Sequence, residues 1–257
     1  MGWRGSHPAV HSVRVTQEGR RSHDLDDAAL LAFFAAIASR DHGRVAELLE
    51  QTPALAVGAL RVGASRADPD PYFLVPIRHY VFSGDTALHV AAAAHDRTVA
   101  ESLVTLGAVV DARNRRGAEP LHYAADGGPA GVKDANAQRE IICYLIDAGA
   151  NPDTIDKSGV APLHRAVRNR SSSAVSALID QGANPLLPNK SGSTPLHLAV
   201  QNTGKSNSGS AAAKEEQQRI IALLVEHGAR PTDLDANGKT VMAATSSDWI
   251  RRQLDYR

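Results

Sequence analysis

The sequence predicts an all-α solenoid of helix–turn–helix units with short β-hairpin fingers, and three observations predict it. One phrase is stated four times: "DTALHVAA" at Asp85 to Ala92, "AEPLHYAA" at Ala118 to Ala125, "VAPLHRAV" at Val160 to Val167 and "STPLHLAV" at Ser193 to Val200. The glycines that lead the units, Gly84, Gly117, Gly159, Gly192 and Gly238, are 33, 42, 33 and 46 residues apart, a period of 33 with two insertions. A second series, Gly107, Gly149, Gly182 and Gly228, closes an apolar run in each unit. Self-similarity at a fixed period marks a stack of supersecondary units that share one continuous core.

Taken in order, the first 24 residues carry four arginines and three histidines with little apolar patterning, and read as a basic tail without structure. Residues 25–257 read as one repeat domain. It opens with a degenerate helix pair over 27–56, followed by an aromatic extended segment over 57–83. Repeats at 84–116, 117–158, 159–191 and 192–237 come next, and a cap at 238–257 ends the chain. In "STPLHLAV" Thr194 is placed to cap a helix by accepting from an orphan amide, and Pro195 stands at the first helical position, where a missing N–H costs nothing. A second amphipathic run such as "AVSALIDQGAN" then ends at a glycine suited to a left-handed C-cap. Polar tips such as "NRRGA", "DKSGV" and "NKSGS" carry turn chemistry and form the fingers. In the last unit Ala243 stands where the others have histidine.

A period of 33 with a T-P-L-H phrase resembles the ankyrin-repeat family, over roughly Asp27 to the C-terminus. The resemblance implies that His89, His122, His164 and His197 are structural, each tying its repeat to the next and to the capping threonine. Thr86 and Thr194 keep that threonine, whereas Glu119 and Ala161 replace it. Near a helix N-terminus the macrodipole favours neutral imidazole. The lone Cys143, in "REIICYLIDAG", reads as a buried thiol and excludes an intramolecular disulfide.

Charge is balanced, 28 basic against 28 acidic residues, which argues against an overall field that would draw the chain to nucleic acid or an anionic membrane. No apolar run approaches the ~18 to 20 residues needed to span a bilayer, so the reading is a soluble cytoplasmic protein. No catalytic constellation, cofactor motif or small-molecule substrate site emerges.

The resemblance implies non-catalytic recognition of another protein through the finger tips and the exposed ends of the first helices. Those places hold Arg115, Arg116 and Ala118; Asp126; Lys157 and Val160; Arg168 and Asn169; Lys190 and Ser193; Gln201 and Asn202; and Lys239. Six of them are cationic and one anionic, so an acidic segment of the partner is expected. Arg165 and Tyr123, which follow the repeat histidine, belong to that surface or shield the stack. Tyr72, Phe73, Tyr80 and Phe82, four of the chain's eleven aromatic residues, either cover the end of the stack or anchor a partner. Alternatives are nucleic-acid binding through the basic stripe, a regulatory subunit of an enzyme, or an enzyme, the last requiring His79 and a carboxylate gathered in a pocket. The insertions, "DGGPAGVKDANAQ" after Ala125 and "NTGKSNSGSAAAKEEQQ" after Gln201, read as surface loops between the helices of the third and fifth units.

Overall fold

The computed structural model of the chain describes residues 25–126, 128, 134–201, 210–245 and 247–255. Among these, six helix pairs follow one another. They are α1 (Asp27–Ala38) with α2 (His42–Gln51), α3 (Ala87–Ala93) with α4 (Arg97–Thr105), and α5 (Pro120–Ala124) with α6 (Ala135–Asp147). Then come α7 (Pro162–Arg168) with α8 (Ser172–Asp180), α9 (Pro195–Ala199) with α10 (Ala211–Glu226), and α11 (Val241–Ala244) with α12 (Asp248–Asp255). The first helices pack in a row from α1 to α11, and α4, α6, α8 and α10 pack in a second row behind them. No helix among the described residues is long and apolar enough to cross a membrane.

First helices of five to seven residues, such as α3, α5, α7 and α9, are too short to persist alone in water. Burial holds them: every residue of α3 is buried, and its small alanines allow neighbours to approach closely. The second helices bury one stripe, Val99, Ala100 and Leu103 in α4 and Ala174, Val175, Ala177, Leu178 and Ile179 in α8. The degenerate first unit supplies Leu30, Phe33, Phe34 and Ile37 to the same core.

In the first, second and fourth units, one left-handed residue turns the chain between the two helices: Arg40, His95 and Arg170, with φ of 55°, 52° and 54°. That conformation costs a non-glycine residue ~1 to 2 kcal/mol. It aims these side chains at the next unit, where Arg40 donates to the carbonyls of Ala94 and His95.

The C-terminal parts of both insertions depart from the loop expectation, while 127, 129–133 and 202–209 lie outside the described residues. The second helices of the inserted units are longer, 13 residues in α6 and 16 in α10 against 9 in α4 and α8. Thus "ANAQ" of one insertion and "AAAKEEQQ" of the other are helical. Asp134 and Ser210 cap the new starts, and Ala, Lys, Glu and Gln are strong helix formers. Each extension also carries an anchoring glutamine. Gln138 donates to the carbonyls of Ala124 and Asp126, and Gln217 to those of Ala199 and Gln201, satisfying the ends of α5 and α9.

The fingers repeat one turn. Asn114, Asp156, Asn189 and Asp235 each accept two amides from the following residues through a side-chain oxygen, and each closes its loop with a main-chain bond, as from Asn114 N–H to Ala118. Gly192 shows why the leading glycine is required: its φ is 72°, and a Cβ there would lie 2.2 Å from the nitrogen of Ala236. The segment over 57–83 contains β1 (Phe73–Leu74) and β2 (His79–Tyr80), paired antiparallel with Phe73 opposite Tyr80. It packs on α1 with Leu74, Ile77 and Val81 buried.

Candidate partner-binding cavity

The four repeat histidines make one pattern. Nδ1 of His89, His122, His164 and His197 accepts the main-chain N–H three residues earlier, at Thr86, Glu119, Ala161 and Thr194, at 3.1 to 3.2 Å. Nε2 faces a carbonyl of the next unit: Ala118, Val160, Ser193 and Lys239 respectively. With Nδ1 accepting, Nε2 carries the proton and donates. The threonine hydroxyls of Thr86 and Thr194 add a contact to Nδ1 at 3.0 and 2.9 Å; Glu119 and Ala161 lack it, yet the amide tie persists. Thr194 is therefore bound back by the histidine as well as standing at the cap. Glu119 turns instead to Thr154 at 2.6 Å and Arg113 at 2.8 Å. Burial lowers the pKa of His89 and His164, and burial together with Arg165 lowers that of His122 to about 4.

Beside these ties lies a cavity of about 470 Å³. Its walls come from the β2 hairpin (Arg78, His79, Tyr80, Phe82), the fingers (Asn114, Arg116, Asp156, Ser158) and the groove face of α5 and α7 (Tyr123, Asp126, Arg165, Arg168, Asn169). Its floor is an ordered polar network. Tyr123 donates to buried Asp85 at 2.8 Å, and Asp85 also accepts from Asn114 at 2.8 Å and from the amide of Phe82 at 2.6 Å. Burial and the Asp85 carboxylate push the Tyr123 phenol well above 10, so it is held as a donor. Arg165 bridges Asp126 at 2.7 Å and Asp156 at 3.1 Å. Burial would raise both carboxyls, but His79 and Arg165 at Asp126, and the Val160 amide and Arg165 at Asp156, outweigh it and hold both below the usual carboxylate range.

The sequence named His79 beside a carboxylate as the arrangement that would point to catalysis, and His79 does face Asp126 here, at 3.5 Å. That carboxylate is already bound by Arg165 and by Asn169 at 3.0 Å, and His79 Nδ1 is bonded to the Tyr80 carbonyl at 2.8 Å. His79 also stacks on the Tyr123 ring at 4.3 Å. Its contacts fasten the hairpin to the groove.

Of the surface residues named from sequence, Arg116, Ala118, Asp126, Val160, Arg168 and Asn169 line this cavity, together with Tyr80, Phe82, Tyr123 and Arg165. Arg115 and Arg116 both lie over the Phe82 ring, at 5.3 and 4.2 Å, and Arg115 also donates to the Ala64 carbonyl. Lys157 donates to the carbonyl of Arg115 and Lys190 to that of Lys157, so successive fingers are laced by their own cations. Gln201 and Lys239 are exposed and away from the cavity, and Asn202, like the 1–24 tail, lies outside the described residues. Among the aromatic residues Phe73 packs on Tyr80 at 4.7 Å, and Tyr72 is half-buried against the core. Cys143 is half-buried, with Gln181 at 3.7 Å from its sulfur.

Sequence reasoning missed Arg78, Asp85, Asn114 and Asp156. Asp85 had a legible signal, a carboxylate in "GDTALH" where the later units have Ala118, Val160 and Ser193.

A model of three ankyrin repeats matches residues 130–210, and the single ankyrin-repeat model matches 83–115 and 191–236. Together they cover more than half of the chain. The chain belongs to the ankyrin-repeat family. Ankyrin repeats are generally protein–protein interaction modules and typically non-catalytic. Tyrosine-protein kinase Shark of Drosophila melanogaster is 36% identical over 94 residues, which is 36% of this ankyrin-repeat chain and 9% of that protein. The match therefore concerns a small part of the kinase's length.

Proposed function

We propose that this ankyrin-repeat chain is a non-catalytic cytoplasmic adaptor that grips an acidic segment of a partner protein in the cavity between the β2 hairpin and the groove face of α5 and α7. One observation carries the reading: the cavity gathers Arg78, Arg116, Arg165 and Arg168 against Asp126 and Asp156, although the whole chain has no net charge. The walls are set by stacked units and laced fingers, so the backbone that carries these arginines is ordered before binding. Residues 25–257 act as one binding domain, and the other exposed finger cations, Lys157, Lys190 and Lys239, extend the basic face.

The test is capture from lysate of the source cells by the full chain and by an Arg116→Glu/Arg168→Glu variant whose melting curve matches the wild type. A partner held by the wild type and lost by the variant, and whose retained segment is acidic on peptide mapping, supports the reading. Equal capture by both moves binding away from the cavity and defeats it. Arg115 is left unchanged because its guanidinium serves the Ala64 carbonyl.

A further inference from the structure

We infer that the cavity receives a phosphomonoester carried on a side chain of the partner protein, an inference that rests on the protein-binding reading above and names the group bound. Charge is the first argument. Four arginines line the cavity against two aspartates, with the buried Asp85 carboxylate in the floor behind Tyr123 and Asn114. Arg165 is spent on those aspartates. Arg78, Arg116 and Arg168 have no carboxylate partner among the described residues. A phosphomonoester carries about −1.5 to −2 charges near neutral pH and three acceptor oxygens. Its three acceptor oxygens equal in number the three guanidiniums that have no carboxylate partner, whereas one Asp or Glu side chain offers two.

Geometry is the second argument. The three unpaired guanidiniums come from three elements: Arg78 from the left-handed tip of the β1–β2 hairpin (φ 50°), Arg116 from a finger and Arg168 from the end of α7. Arg116 lies 4.2 Å over the Phe82 ring, which restrains its plane while leaving its N–H edges to an acceptor. Planar guanidinium forks suit phosphate oxygens by bidentate bonding. The volume of about 470 Å³ lies in the range of ligand-binding clefts and has room for a phosphorylated side chain. The anionic side chains of the lining cannot compete for the arginines, since Arg165 and Asn169 hold Asp126 and Arg165 holds Asp156.

The test is calorimetric titration of the full chain with capped pentapeptides, Ala-Ala-X-Ala-Ala, in which X is phosphoserine, phosphotyrosine or glutamate, and with inorganic phosphate. The expected result is that at least one phosphopeptide binds about tenfold or more tightly than the glutamate peptide and inorganic phosphate, and that Arg168→Ala and Arg116→Ala each weaken it about tenfold. Arg44→Ala, on α2 and outside both the cavity and the basic face, leaves it unchanged. Should Arg116→Ala lower the melting temperature, Arg168→Ala decides, because its guanidinium makes no hydrogen bond or ion pair among the described residues. Equal affinity for glutamate and phosphorylated peptides overturns this inference and leaves the acidic-segment reading standing. Inorganic phosphate binding as tightly as a phosphopeptide overturns the side-chain assignment. No binding by any probe overturns the inference, and the capture experiment then decides the adaptor reading separately.

Discussion

Just after the repeat histidine, the flanking units carry Val90 and Leu198, while the two central units carry Tyr123 and Arg165. The flanking side chains are apolar and buried, at 0% and 7% exposure, and serve only packing. In the central units Tyr123 donates to Asp85, and Arg165 bridges Asp126 and Asp156. These same two units lack the capping threonine. The inter-unit tie survives both changes because it uses only imidazole nitrogens and main-chain groups. An array of equal units can thus carry local differences: the stack depends on the histidine, and the neighbouring position is free to hold a packing residue or a polar network.

The largest test of that contrast is Arg165→Met. It strands two largely buried carboxylates, with side-chain exposures of 20% and 9%, and should cost ~3 kcal/mol in urea unfolding. Adding Asp126→Asn and Asp156→Asn should restore most of the loss. Leu198→Met at the equivalent flanking position should cost less than ~1.5 kcal/mol. If the two single variants are equally stable, the central units are no different from their neighbours.

A smaller effect is expected from pH. Burial and Arg165 hold His122 at about 4, and burial and Arg40 hold His95 at about 4, against ~6.5 in the unfolded chain. Their contribution is complete above pH 6.5 and declines as pH falls toward 4, because the unfolded chain takes a proton that the folded chain refuses. Each histidine should cost ~2 kcal/mol at pH 5 relative to pH 7. Asp126 and Asp156 act in the other window: their lowered values make their stabilisation complete above ~4 and lost only below it. Urea unfolding at pH 7 and pH 5 measures this, and a flat profile would sink the account of the ties as neutral imidazoles.

The smallest test concerns the cap. Thr194→Ala should cost ~1 kcal/mol by removing the hydroxyl from His197 Nδ1, and Ala161→Thr should gain less than that by supplying one to His164. Equal and negligible changes would mean that the amide bond alone sets the tie.

Much of this was legible in order of periodicity. The phrase around Leu88, Leu121, Leu163 and Leu196 marks the starts of first helices, Gly107 to Gly228 mark the ends of second helices, and the five leading glycines mark the units after the first helix pair. The helical parts of the inserted segments, 135–138 and 211–218, were not legible, because Gly, Asn and Ser preceding "AAAKEEQQ" mask a helix whose anchor is Gln217 on the α9 carbonyls, a contact invisible to local pattern. The cavity was half legible. Arg116, Asp126, Arg168 and Asn169 follow from repeat position, whereas Arg78 and His79 lie in a segment without a repeat equivalent.

By itself, then, the sequence determined the stack: short helices of small apolar residues that cannot stand alone, punctuated by glycine, have only one another to bury against. The tertiary structure alone decided which of these residues meet in the cavity. Asp85 and Tyr123 are 38 residues apart, Asp126 and Arg165 39, and His79 and Asp126 47; only the packing of successive units brings each pair within reach. Such pairing depends on the register between units and on where one irregular hairpin comes to lie, which no local propensity encodes.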